Sequence, residues 1–273
     1  MVRIQILEAK NLRRILKRRT RIESMEEVCG VKGVKKLLKD TSTDNQHIFQ
    51  RLLLEADQLY IGVDNVFSSK GFEKMPYTGY VRATNVDIVD GVYYEMSQRR
   101  LFPFSLLATE NAVWECLRRL GMNSLHGVGA SNAHVNVHPF AIVEEGNTLR
   151  SSFFTVISGT GDHIGNMNWK VARRYKDAGR TTFTCRIVSE STFQGGESSF
   201  SSTYTMQIVM NKTAEDADVT TVMIYFSAER ATLPPQDDPV TQIACAAWDK
   251  HIPRFPIDVE SVLLDSIYNT SDD

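Results

Sequence analysis

Two stretches decide the fold: Arg180-Thr-Thr-Phe-Thr-Cys-Arg-Ile-Val-Ser-Glu190 and Ser202-Thr-Tyr-Thr-Met-Gln-Ile-Val-Met210. In both, apolar and polar residues alternate with a period of two, the side-chain period of a strand. Phe183, Cys185 and Ile187 share one parity of the first stretch, and Tyr204, Met206, Ile208 and Met210 share one parity of the second. Phe153, Thr155 and Ile157 extend the set upstream. Their neighbours Thr182, Thr184, Arg186, Thr203, Thr205 and Gln207 are polar, so the pattern predicts an antiparallel sheet with one buried and one wet face.

Outward from these strands the same period marks residues 134–143, 150–158, 168–176 and 219–229. Turn formers separate them: Glu145-Gly-Asn-Thr, Gly159-Thr-Gly-Asp, Asp177-Ala-Gly-Arg, Gln194-Gly-Gly-Glu and the acidic 211–218 loop. Loops this short join antiparallel neighbours, because a parallel crossover needs a dozen or more residues. Upstream, Val81–Ile88 and Val92–Leu101 flank Asp90-Gly91 and predict a further hairpin. Helical spacing appears at Ile48, Phe49, Leu52, Leu53, Ala56, Leu59, Tyr60, Val63 and Phe67, with caps near Ser42-Thr-Asp44 and an end near Gly71. A second helix carries Leu106, Leu107, Val113, Trp114, Leu117 and Leu120 behind Ser105 or Thr109, and Gly121 closes it. The last helical pattern runs over 238–268, with Pro253 and Pro256 predicting a kink or break. The expected covers of the apolar sheet face are the 106–120 helix and this C-terminal helix.

The fold class expected is therefore α+β, divided as a basic helical segment 1–40, a main domain 41–268 and a tail 269–273. Residues 1–39 hold twelve Lys/Arg against four Asp/Glu, whereas the whole chain has a net charge of -2. A basic head on an acidic body limits nucleic-acid binding to the head. Ile4, Leu7, Leu12, Ile15 and Leu16 approximate an amphipathic stripe without a sustained heptad. A homodimer through residues 1–28, and DNA contact by the same segment, are the partner readings that follow. Cys29, Cys116, Cys185 and Cys245 are widely spread, which favours free thiols in a reducing compartment over disulfides or zinc. No secretory leader and no apolar run long enough to cross a bilayer are evident, so the expected location is cytoplasmic or nuclear, with no membrane span.

No catalytic constellation survives inspection, and no enzyme, cofactor or metal is expected. Gly159–Gly165 has the glycine content of a phosphate loop but precedes a strand pattern, where such a loop must open a helix. His134 and His138 lie on one face of a strand with His126 upstream, yet no third ligand stands at a telling spacing. A curved sheet around a long helix leaves a concave apolar site instead. The candidate ligand-binding residues are Arg173, Tyr175, Phe183, Tyr204, Met206, Ile208, Trp248, Val259 and Leu263. Arg173 shares a parity with Trp169, Val171 and Tyr175, which makes it the expected anchor for an acidic or carbonyl group.

Several stretches resemble a known family. They are Leu59-Tyr-Ile-Gly-Val-Asp-Asn-Val-Phe67, the region from Pro103-Phe104 to Ala112-Val-Trp114, Val171-Ala-Arg-Arg-Tyr175 with Arg180, Cys185-Arg186, and Ala247-Trp-Asp249. With the order of elements, they are similar to START-type, helix-grip domains, and more closely to the oomycete START-like proteins labelled mating-specific, some of which follow a basic leucine zipper. The resemblance spans about residues 1–268. It implies a START-like helix-grip fold, an N-terminal helical extension related to a coiled coil, and non-catalytic binding of a lipid or other hydrophobic molecule by a ligand-sensing regulatory module. The alternative it implies is a DNA-associated regulator dimerising through the basic helix.

Overall fold

In the computed structural model, the described residues are 34–84, 91–129, 132–158, 164–192, 201–213, 218–230 and 239–270. The expectations placed on residues 1–33 (zipper remnant, dimer contact, DNA contact) lie outside them. Helix α1 runs over Val34–Ser69, a length of about 54 Å at the usual rise per residue. It begins directly after Gly33, earlier than the Ser42–Asp44 caps, and so passes through the boundary placed at residues 40 and 41. The lysine- and leucine-rich stretch 35–39 is good helix-forming sequence, and Ser and Thr are tolerated inside a helix that continues past them.

A 3-10 turn, Phe72–Lys74, leads to β1 (Tyr80–Ala83) and β2 (Val92–Phe102). Helix α2, Leu106–Arg119, starts at Ser105, whose hydroxyl accepts from the Ala108 amide at 3.3 Å. A meander follows: β3 (Leu125–Val128), β4 (Ala133–Glu145), β5 (Thr148–Ser158), β6 (Ile164–Asp177), β7 (Arg180–Thr192), β8 (Ser201–Lys212) and β9 (Thr220–Arg230). Helices α3 (Pro239–His251) and α4 (Phe255–Thr270) close the chain, broken beside Pro253 as the prolines require.

All nine strands form one antiparallel sheet in the order β1-β2-β9-β8-β7-β6-β5-β4-β3. Chain order and sheet order differ only because α2 carries the chain from β2 to the far edge at β3. The short strand β3 is absent from the sequence-based expectation, since four residues give too little alternation to read. Two meander turns are as tight as expected: Glu145 pairs with Thr148 and Asp177 with Arg180, leaving two-residue loops. Gly146 (φ 58°) and Gly179 (φ 76°) supply the left-handed backbone these loops need. The 159–163 loop lies outside the described residues, but β5 and β6 on either side pair antiparallel from Thr148–Arg173 to Ile157–Ile164.

The expected wet face is not wet. Thr182, Thr184, Thr205 and Gln207 are buried, and the cover is α1. Leu52 and Ala56 of α1 pack on Trp169, Val171 and Val188, while Val63 and Phe67 pack with Val209 and Tyr225. Each such fully buried Leu, Val or Phe contributes on the order of 1.5–3 kcal/mol. Polar links reinforce this contact. Arg186 donates to Glu55 at 2.7 Å, Tyr175 donates to Asp57 at 2.7 Å, and Gln207 donates to the Leu59 carbonyl at 2.9 Å. The polar parity differs from the expectation because its side chains bond to polar groups of a helix rather than to water.

The opposite face holds the main core. Phe183, Cys185, Met206, Ile208 and Met210 pack there with Val113 and Leu117 of α2 and with Val259 and Leu263 of α4. Buried Glu110 on α2 receives Arg174 at 2.9 Å, Lys176 at 2.6 Å and the Thr181 hydroxyl at 3.1 Å, tying the helix to the sheet.

Candidate functional site: a cavity beneath the C-terminal helices

Helix α2 fills only one end of the concave face. At the other end, between the sheet and α3–α4, lies a cavity of about 430 Å³. Its level is set by the strand register: residues 149, 172 and 183 lie in the filled half, whereas Phe153, Asn168 and Ser189 line the cavity. Apolar walls come from Phe153, Ile157, Ile187 and Phe226 on the sheet and from Ile243, Ala247, Ile252 and Phe255 on the helices. The exposed lining residues gather at one rim, where Arg119, Gly121 and Asn123 stand with Asp258, Ser261 and Asp265. That rim is the cavity's mouth.

Helix α3 is held over the cavity by Trp248. Its ring centroid lies 5.1–5.7 Å from those of four aromatic neighbours: Tyr94 at 5.1 Å, Tyr204 at 5.2 Å, and Tyr93 and Phe226 at 5.7 Å. The adjacent Asp249 accepts from the Tyr94 hydroxyl at 2.8 Å and pairs with Arg82 of β1 at 2.6 Å. Trp248 and Asp249 thus attach α3 to four strands, β1, β2, β8 and β9.

Polar groups line the floor. Asn168 and Ser189 are 4% and 6% exposed, and they are cross-strand partners, as are Thr155 and Asn166. Tyr204 lies beside them, its hydroxyl pKa raised chiefly by burial. Below the C-terminus of α2, the fully buried Lys170 donates to the carbonyls of Leu117 (3.0 Å), Arg118 (3.0 Å) and Leu120 (2.8 Å). Burial pushes its ammonium pKa down to about 8. His251 lines the cavity with its Nε2 buried and without a hydrogen-bond partner among the described residues. Burial first, then Lys250 and Arg254, lower its pKa, and Asp258 opposes them.

The sequence-based candidates separate into three groups. Tyr204 and Trp248 line the cavity. Phe183, Met206, Ile208, Val259 and Leu263 are core residues 0–1% exposed, packed in the filled half. Arg173 and Tyr175 point to the other face, and their placement in the cavity is corrected. Arg173 pairs with Asp57 at 2.5 Å, and Tyr175 stacks on Tyr60. The apolar parity Trp169–Val171–Tyr175 does face a core, but it is the one made with α1. The concave parity of β6 is mostly polar, Asn166, Asn168, Lys170 and Arg174 with Ala172 between the last two, which no simple alternation rule assigns to a cavity. The pairing of Asn168 with Ser189 is set by strand register, and their burial leaves no mark in the sequence.

His126 and His134 approach at 3.2 Å between Nδ1 atoms, and both are exposed. Among the described residues no group of three or more His, Cys, Asp or Glu converges to hold a metal. Cys116, Cys185 and Cys245 are free thiols. No helix among the described residues is long and apolar enough to cross a membrane.

A large curved antiparallel sheet holding C-terminal helices in its concave face is a START-like helix-grip fold. Among solved structures, the chain is similar to the human StarD13 (DLC2) lipid transfer and protein localization domain, with a TM-score of 0.32 and 11% identity over 74% of this chain and 96% of that one. No protein-family model matches the sequence, and no curated protein matches it.

Proposed function

We propose that the protein binds a lipid or other hydrophobic small molecule, without catalysis, in the cavity beneath α3 and α4, as a ligand-sensing regulatory module. The observation that carries this reading is the unfilled volume of about 430 Å³ between the sheet and the C-terminal helices. Its size falls in the range of small-molecule sites, and its walls are mainly apolar with a few convergent polar groups. Leaving apolar walls unfilled costs stability, because lining atoms forgo contacts, so such a hollow favours an occupant.

Kinship with the oomycete START-like family belongs to the same proposal. The residues of the resemblance are the ones that assemble this fold: Tyr60, Asp64, Tyr175, Arg180 and Arg186 join α1 to the sheet, and Trp248 and Asp249 attach α3.

Native mass spectrometry after mild extraction, with uptake of the neutral fluorophore N-phenyl-1-naphthylamine, tests the reading. Binding with one-to-one stoichiometry that is abolished by Ala247→Trp, which fills the cavity, is expected. A full-length protein that carries no apolar molecule and takes up no fluorophore would overturn it.

A further inference from the structure

The chemistry of the cavity floor narrows the ligand class, and this step rests on the ligand-binding reading above. The Asn168 side-chain nitrogen donates toward three acceptors: the Phe153 carbonyl at 3.3 Å, the Thr155 hydroxyl at 3.2 Å and the Asn166 carbonyl at 3.1 Å. Three acceptors around one end of the amide fix which end is nitrogen. Its amide oxygen is the acceptor end of a side chain that lines the cavity at a residue only 4% exposed. Thr155 accepts from Asn168 and so keeps its own proton to give away. The floor therefore offers an acceptor and a donor side by side in Asn168 and Thr155, among further uncharged polar groups of Asn166, Ser189 and Tyr204.

A carboxylate or phosphate would meet no fixed cation at this floor, and His251, which lines the cavity from α3, is held toward its neutral form by burial. Lys170, the buried ammonium on the same strand face, spends its three donors on the carbonyls that end α2. Arg119 stands at the exposed rim. An anion placed beside the Asn168 oxygen would be both desolvated and repelled. A hydroxyl or a primary or secondary amide both donates and accepts, which matches the pair.

We propose that Asn168 and Thr155 receive the uncharged hydrogen-bonding end of a hydroxyl- or amide-bearing amphiphile, whose apolar body fills the cavity toward Ile157, Phe226 and Trp248. The site discriminates against anionic lipids of the same chain length.

The test uses the full chain loaded with N-phenyl-1-naphthylamine and displaced at pH 8 by dodecan-1-ol, dodecanamide or dodecanoate. The alcohol and the amide are expected to displace the probe at concentrations roughly tenfold below that of dodecanoate or lower, the cost of leaving a buried polar group unpaired. Asn168→Leu and the isosteric Thr155→Val should each remove about tenfold of that preference, read as the ratio of alcohol to dodecanoate displacement so that a change in the probe's own affinity cancels. Should Asn168→Leu fail to fold, Thr155→Val alone decides. Dodecanoate binding as well as the alcohol, or an unchanged preference in the folded variants, overturns this inference and leaves hydrophobic binding intact. Failure of the wild-type chain to take up the probe overturns the ligand-binding reading, and this inference with it.

Discussion

The rings of Tyr60 on α1 and Tyr175 on β6 stack with centroids 4.0 Å apart and planes inclined by 4°. The contact is bracketed by hydrogen bonds: Tyr60 donates to Asp177 at 2.9 Å, and Tyr175 to Asp57 at 2.7 Å. It fixes the register of a long helix along a strand. Tyr175→Ala removes the stack and one of those bonds, and should destabilise the fold by about 1–3 kcal/mol. Urea unfolding measures this, and the fluorophore's affinity for the folded variant should be unchanged. A tenfold loss of affinity at unaltered stability would return Tyr175 to the ligand site.

That pair also explains what the sequence made legible. Strand positions, the tight turns at Gly146 and Gly179, the break beside Pro253 and the covering roles of α2 and the C-terminal helices follow from periodicity and turn chemistry. Face assignment on β6 did not follow. The apolar-in, polar-out rule assumes one dry face, whereas this sheet is dry on both. Trp169 and Val171 serve the α1 side, while Lys170 and Asn168 serve the other, each made tolerable by partners from a different element. Hydrogen bonds between residues more than fifty positions apart, such as Lys170 to Leu117, leave no local pattern to read.

Asp249 joins α3 to two strands, and its two partners differ in environment. Tyr94 is 0% exposed, so loss of its acceptor leaves a buried hydroxyl unpaired. Arg82 is 40% exposed at its side chain, so its ion pair is screened. Asp249→Ala should therefore cost about 1–3 kcal/mol and Arg82→Ala well under that, on the order of 0–1 kcal/mol. Asp249→Ala should also speed release of bound fluorophore in stopped-flow measurements, since α3 covers the cavity. Equal costs for the two variants would contradict the role assigned to Tyr94.

His251 gives the protein a pH dependence of known sign. Its folded-state pKa lies below the ordinary 6.5, chiefly through burial. Above pH 6.5 neither state holds the proton, and as pH falls the unfolded chain binds it first. Stability attached to this residue is therefore present above 6.5 and lost as pH falls through the depressed folded value. Thermal melts at pH 7.5 and pH 5 should show a smaller drop in Tm for His251→Gln than for the wild type. An identical drop in both would remove His251 as the cause.

Lys170 has the opposite chemical type and a different window. Its three carbonyl acceptors at the negative end of α2 favour the ammonium, while complete burial disfavours it, and burial prevails with a pKa of about 8 against an ordinary 10.5. The folded state thus releases its proton before the unfolded chain does, so stability attached to this group increases as pH rises from about 8 toward 10.5. Lys170→Met keeps most of the side-chain volume but leaves the carbonyls of Leu117, Arg118 and Leu120 without their donor, at a cost of about 1–3 kcal/mol at pH 7. Because the variant lacks the titration, the gap between wild type and Lys170→Met should widen between pH 8 and pH 10 in urea unfolding series. A gap that stays constant over that interval would mean that the three carbonyls hold the ammonium charged despite its burial, and the downward shift would be refuted.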